Sequence, residues 1–354
     1  MDAKKLYENL KPEDKQQLRR LAEEINEKYE VGEKAGQYKG RVILFLGAAV
    51  NYHAPKGFEP AYGKADRPPL GNELGDLYID GLYDADAKEQ NEEMKREKSP
   101  LSWTSQYYEE VFDRRALIKK LATFIGNKKP SPILNALAEM HFKYIVTTNY
   151  DHLFEDALIK AGKAGFHKGT YKPNKNGVQE YTTDVNEKNV SVQTPFVYKL
   201  HGDIREVFDE NGEYVPGKDG IVLTDEDYLH FILRMSQVVD NKERDEMRSG
   251  ETADLYPIPQ SINKAFTGLN QNTFLFVGYG LRDYNLRLIF KTALWKKDTN
   301  IFKTLQKWSI DLSPDEPIKR IFIKNYQLTF IEWDIWCAIP YLYKLMFDKE
   351  IPLE

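Results

Sequence analysis

Short, wholly apolar runs alternate with longer amphipathic segments along this chain. Residues 42–46, "VILFL", are apolar at every position, so an extended segment here would bury both faces, as strands of a parallel sheet do. Runs of the same character stand in "FKYIVTTN" (142–149), "TPFVYKLHG" (194–202) and "NTFLFV" (272–277). Helical spacing links Leu6, Leu10, Leu18, Leu21 and Ile25, with Pro12, Glu13 and Asp14 suited to a first turn. It recurs across 70–141, where Ser131 before Pro132 predicts a capped start, and in 150–162, which Gly162 closes. Residues 221–235 read as a short strand, a cap at Thr224 and a helix, and 272–294 as strand, glycine turn and helix. Near the end, 319–325 and 327–333 read as strands and 339–347 as a last helix, whereas 163–194 reads as a hairpin or irregular.

Strands alternating with helices at this spacing predict an α/β fold, a Rossmann-like, doubly wound parallel sheet with a small helical module. The expected organisation is an N-terminal helical extension (1–38), a nucleotide-binding domain (39–295, with a helical insertion over about 69–141), and C-terminal strands and a helix (296–354) completing that domain. The Gly- and Pro-rich loop 51–71 is long for a connection without function, and the charged stretch 86–98 reads as a solvated helix face or a mobile tip.

Composition narrows the chemistry. With 354 residues, 41% of them hydrophobic, the chain can bury a large core, and a net charge of -5 gives no electrostatic reason to expect direct nucleic-acid binding. Cys337 is the single cysteine, so neither an internal disulfide nor a cysteine-based zinc ribbon can form, and no metal is expected. The opening "MDAKKLYENLKPEDKQQ" has no apolar signal core, and no apolar run approaches the ~20 residues of a membrane span. A cytoplasmic protein is therefore expected.

In doubly wound sheets ligands sit beyond the carboxyl ends of the strands. Small or hydrogen-bonding residues cluster at four such ends: Gly47-Ala48-Ala49-Val50-Asn51, Thr147-Thr148-Asn149-Tyr150-Asp151, His201-Gly202-Asp203, and Gly278-Tyr279-Gly280-Leu281-Arg282-Asp283. Each has an ordinary reading. Gly47 and its neighbours can serve close packing or leave room for a ligand's phosphates. Asn149 or Asp283 can cap a helix, His201 can be a bonded core histidine, and Gly278 and Gly280 can permit a tight turn. Four clusters on one sheet edge point more specifically to a ligand than any one does.

In this order, "GAA", "TTNYD", "KLHG" and "FVGYGLRD" resemble the Sir2-like, sirtuin-related family, and within it the bacterial Sir2-like proteins of anti-phage defence. "PPLGNEL" and "GIVLTDEDYLHFI" resemble the same branch, and the likeness spans roughly residues 40–295. It implies NAD as substrate, with Gly47, Ala48, Ala49, Asn51, Thr148, Asp151, Gly278, Gly280 and Asp283 at the dinucleotide and Asn149 and His201 as catalytic residues. Control by homo-oligomerisation or by a partner such as a HerA-type ATPase is also implied. Two positions depart from the family pattern: Ala49 stands where glycine is expected, and Asn51 replaces serine. If position 49 needs positive φ, alanine there costs about 1 kcal/mol. The missing zinc ribbon disfavours protein deacylation and favours NAD hydrolysis.

The residue chemistry suits that reading. Breaking the nicotinamide–ribose bond develops oxocarbenium character and releases a neutral leaving group, so a site must mainly hold the ribose and orient a water. Asn149 can serve ribose or water because its amide both donates and accepts, and a neutral His201 imidazole can be the base. Asp151 can bond nicotinamide or orient a neighbour. Backbone N–H groups of Gly47, Ala48 and Ala49 at a helix start suit the pyrophosphate, and Gly278 and Gly280 the adenosine side. An NAD- or ADP-ribose-binding sensor or scaffold with little turnover is the alternative.

Overall fold

The computed structural model describes residues 10–58, 61–82, 92, 95, 99–171, 185–233, 259–266, 272–281 and 306–351. Seven strands form one sheet: β1 (Val42–Leu46), β2 (Tyr144–Thr147), β3 (His167–Thr170), β4 (Phe196–Lys199), β5 (Thr273–Val277), β6 (Lys307–Ile310) and β7 (Leu328–Ile331). Their order is β3-β4-β2-β1-β5-β6-β7, and every pairing is parallel. The chain leaves β1 for β2 on one side and later returns to β5 on the other, so the topological switch lies at β1.

Strand β1 shows why its sequence is apolar throughout. Val42, Leu44 and Leu46 enter one core, with α1 (Pro12–Ile25), while Ile43 and Phe45 enter a second on the opposite face; the latter pair packs with Tyr198, Phe274 and Phe276. Helix α1 begins as its sequence predicts, with Pro12 in the first turn and Leu18, Leu21 and Ile25 buried on one stripe. A third core belongs to the helical module, made of α2 (Gly71–Leu82), α3 (Leu101–Val111) and α4 (Arg114–Ile125). Helix α5 (Pro132–Glu139) follows, and the Ser131 hydroxyl accepts from Leu134 N at 3.1 Å as its cap. The further helices described in full or in part are α6 (Leu153–Lys160), α7 (225–233), α8 (Gln260–Phe266), α9 (Glu316–Tyr326) and α10 (Ile335–Phe347). No helix among the described residues is long and apolar enough to cross a membrane.

The structure corrects the sequence reading in four places. Residues 319–325 are not a strand but lie within α9: Asp315 accepts from Ile318 N at 3.2 Å, Pro317 fits the first turn, and only Phe322 of the apolar positions is buried. In the segment 163–194, read as a hairpin or irregular, residues 167–170 instead form β3, which runs parallel to β4 at the sheet edge, and residues 172–184 lie outside the described residues. Strand β6 escapes the pattern because Lys307 and Ser309 alternate with Trp308 and Ile310, although all four are buried. Residues 221–223, read as a short strand, form none among the described residues. The stretch 86–98, apart from residues 92 and 95, and the helix expected after Leu281 lie outside the described residues.

Candidate functional site

Register brings the four strand ends to one level. Leu46 pairs with Thr147 on one side and with Val277 on the other, and Thr147 pairs with Lys199. Gly47, Thr148, Leu200 and Gly278 therefore leave the sheet from a single row. Asn149 and His201 each follow that row by two residues on adjacent strands, which lie about 4.8 Å apart.

At β1 and β5 the two turns meet backbone to backbone. Gly47 N donates to Val277 O at 3.0 Å, and Ala49 N to Gly278 O at 3.1 Å. A Cβ on Gly47 would lie 2.4 Å from Gly278 O. One on Gly278, whose φ is +73°, would lie 2.1 Å from Val50 N. The glycines at 47 and 278 thus answer first to this crossing. Two corrections follow for the pyrophosphate expectation. The N–H groups of Gly47 and Ala49 are spent within the chain, which leaves Ala48, exposed, as the one of the three without a chain partner among the described residues. The expected helix start is a short 3-10 turn, Ala48–Asn51. Ala49 has no positive φ, so the anticipated strain is absent there; Leu281, buried at the other turn, carries it instead, at 51°. Asn51 is buried, and its Oδ1 has no hydrogen-bond partner among the described residues. Gly280 is exposed, and a Cβ there would meet nothing within 4 Å among them. Asp283 lies outside the described residues.

The β2 and β4 ends are built from side chains. Thr147 Oγ1 donates to Leu46 O at 2.9 Å and accepts from Asn149 N at 3.0 Å. The Asn149 amide donates to Gly47 O at 3.4 Å, tying this end to the β1 turn. Asn149 does not cap α6; Asp151 Oδ1 accepts from Leu153 N at 3.0 Å at the start of that helix. Burial raises the Asp151 carboxyl above its ordinary range, against the pull of Lys199. Thr148 N reaches Leu46 O at 3.4 Å.

His201 is 2% exposed. Its carbonyl accepts from Val222 N at 3.1 Å, and its ring meets Tyr228 edge-on with centroids 5.5 Å apart. The following glycine is obligatory: Gly202 has φ +84°, and a Cβ would lie 2.3 Å from Gly220 O.

Beneath Asn149 and His201 lies a buried ionic cluster that the sequence reading missed. Lys199, wholly buried, donates to Asp151 O and to Glu155 Oε1, the latter at 3.1 Å, and lies 3.6 Å from Asp203 Oδ2. Asp203 also meets His152 Nε2 at 3.0 Å and Lys168 Nζ at 2.7 Å. Burial opposes ionisation of Asp203, but the His152 bond and the Lys199 and Lys168 charges outweigh it and hold the carboxyl well below the usual range. The legible signal was a lysine inside the apolar "FVYKL", since a lysine is rarely buried unless paired. Among the described residues no group of three or more His, Cys, Asp or Glu side chains is placed to hold a metal.

The parallel sheet switches at β1, with glycine turns on one side of the row and Asn149 and His201 over buried charges on the other. The SIR2-like domain family matches residues 143–331, and the chain belongs to that family. It is 25% identical over 303 residues to Defense-associated sirtuin 2 of Bacillus subtilis. That match covers 83% of this chain but only 23% of the relative, so the chain spans less than a quarter of the length of the protein it resembles.

Proposed function

We propose that the chain hydrolyses NAD+ at the nicotinamide–ribose bond, giving nicotinamide and ADP-ribose, and acts as an NAD-depleting effector in anti-phage defence. The observation that carries this is the placement of Asn149 and His201 two residues beyond one register row, on adjacent strands. The C1′–N1 bond breaks with its electron pair leaving on nicotinamide, water adds to C1′, and the neutral His201 imidazole takes the water's proton. The Asn149 amide, anchored to Gly47 O, orients the ribose or that water. The pyrophosphate lies against the β1 turn, with Ala48 N–H as donor, and the adenosine side lies toward Gly278 and Gly280. Membership of the SIR2-like family supports NAD as the substrate, and the relative's name supports a role in defence. Assembly into a homo-oligomer, or docking of a partner such as a HerA-type ATPase, is proposed as the control on a reaction that would deplete the cell's own NAD.

The test is product identification after incubation with NAD+, with and without an acetylated peptide. Nicotinamide with ADP-ribose is expected, and it should vanish in His201→Ala and in Asn149→Ala while both remain folded. Acetylated ADP-ribose would mean a deacylase instead. Tight binding without turnover, alone and with candidate partners, would mean a sensor.

A further inference from the structure

The segment 219–228 backs the candidate base from outside the sheet, and one arginine of the helical module holds it. Ile221 and Leu223 point into the module's core, and Val222 between them enters the core of the sheet. Val222 is fixed at both backbone groups: its N–H donates to His201 O at 3.1 Å, and its carbonyl accepts from Tyr150 Oη at 2.8 Å. Gly220 lies directly against Gly202, and Tyr228 presents its ring to the imidazole. A shift of this segment therefore moves the backbone and the ring wall of His201 together.

Arg114, at the first position of α4, grips the segment at three points. Nε bonds Asp219 Oδ2 at 2.6 Å, Nη2 donates to Ile221 O at 2.7 Å, and Nη1 bonds Asp227 Oδ2 at 2.7 Å. Each carboxylate is itself tied to the segment. Asp219 accepts from Ile221 N at 3.0 Å and from Tyr214 Oη at 2.7 Å. Asp227 accepts from Leu223 N and Thr224 N, both at 3.0 Å. Glu109 of α3 completes the guanidinium shell at 3.1 Å from Nη1. The fixed fork of an arginine serves several acceptors in one plane, which a lysine cannot do.

We propose that Arg114 is a positioning residue for His201, and that through it the helical module sets the alignment of the base. The proposal rests on the hydrolase reading for its kinetic readout only. The experiment compares wild type, Arg114→Lys and the milder Asp227→Asn by thermal melting, ADP-ribose affinity, nicotinamide release and the histidine ring resonances of 13C-labelled protein. There are six histidines to resolve, and His201 is assigned by the signal lost in His201→Asn. In folded Arg114→Lys, kcat should fall about tenfold or more, because small misplacements of reacting groups are costly. KM and ADP-ribose affinity should change less than about twofold, since binding is left intact. The His201 resonance should move, and Asp227→Asn should give a smaller change in the same direction. A folded Arg114→Lys with wild-type kcat and an unmoved His201 resonance overturns the proposal, as does a rate loss that only follows the unfolded fraction. Should Arg114→Lys fail to fold, Asp227→Asn decides by the same criteria. If wild type releases no nicotinamide, the hydrolase reading fails, and the His201 resonance alone decides the positioning role.

Discussion

The two halves of the candidate site reach one level of the sheet by opposite means. At β1 and β5 the turns come together because side-chain atoms are missing: Gly47 and Gly278 let one backbone lie on the other. At β2 and β4 the turns are held by side chains, with Lys199 and Asp203 buried beneath Asn149 and His201. The first half presents peptide groups at fixed positions. The second offers an amide and an imidazole over a preorganised field, in which buried charges act more strongly than in water. A dinucleotide pyrophosphate needs the first kind of surface and a reacting glycosidic carbon the second.

The largest expected effect breaks the glycine half. In Gly278→Ala the new methyl would sit 2.1 Å from Val50 N, a backbone atom in a short 3-10 turn, at a φ of +73° that alanine resists. Stability should fall by more than about 4 kcal/mol, since steric overlap in a packed core adds to backbone strain. Urea denaturation checks this, and a fall of less than about 1 kcal/mol would show that the crossing gives way.

Next comes the ionic half. Lys199→Met removes the cation that Glu155, Asp203 and the Asp151 carbonyl share, which should destabilise by about 3–5 kcal/mol because buried charges are left uncompensated. Lys199→Met with Glu155→Gln should recover part of that loss. A double variant as weak as the sum of the two single ones would show that the pair is not coupled.

How far the sequence revealed these halves follows from the same physics. The apolar strands were legible because burial on both faces leaves no polar position in "VILFL". Strand β3, "HKGT", was not, because an edge strand needs no such pattern, and "KWSI" hid its burial behind Lys307 and Ser309. The strand-end residues could be named, since the ends of apolar runs show where the sheet stops. Their partners could not: the acceptors of Gly47 N and Ala49 N are about 230 residues away, and only the pairing of β1 with β5 brings them close. For the same reason a helix cap stayed open as the ordinary reading of Asn149 beside the catalytic one, although its amide bonds the β1 turn.

A smaller effect sharpens the comparison through pH. Acid should act on the ionic half, and His141, in the segment before β2, titrates as well. Burial, with Lys163 and Lys28 nearby, lowers its pKa to about 4, while it stacks on Tyr38 and bonds Asn26. The unfolded chain binds this proton more readily, so stability is full above about pH 6.5 and declines toward pH 4, by at most about 3 kcal/mol. His141→Asn should flatten that window. What remains in the variant belongs to carboxylates of two kinds: raised ones such as Asp151, which bind a proton more readily in the folded chain and so add stability as pH falls, and depressed ones such as Asp203, whose contribution is present above about pH 3.9 and is lost only as pH falls through its lower folded value. A decline between about pH 6.5 and 4 that persists unchanged in His141→Asn would mean that another group carries it.

The smallest expected effect on the fold separates structure from ligand in the glycine half. Gly280 shares a turn with Gly278 but not its constraint: its φ is not positive, it is exposed, and an added methyl meets nothing within 4 Å among the described residues. Gly280→Ala should therefore leave stability within about 0.5 kcal/mol of wild type, as unconstrained surface changes do. If the adenosine side of the dinucleotide crosses this turn, the methyl stands in its path, and ADP-ribose affinity should weaken by about tenfold, or about 1.4 kcal/mol. Calorimetric titration with ADP-ribose beside a melting curve reads both quantities on one sample. Unchanged affinity would confine Gly280 to turn geometry and move the adenosine off the β5 end, leaving Gly278 with a packing role and the β1 turn as the one glycine surface at the ligand.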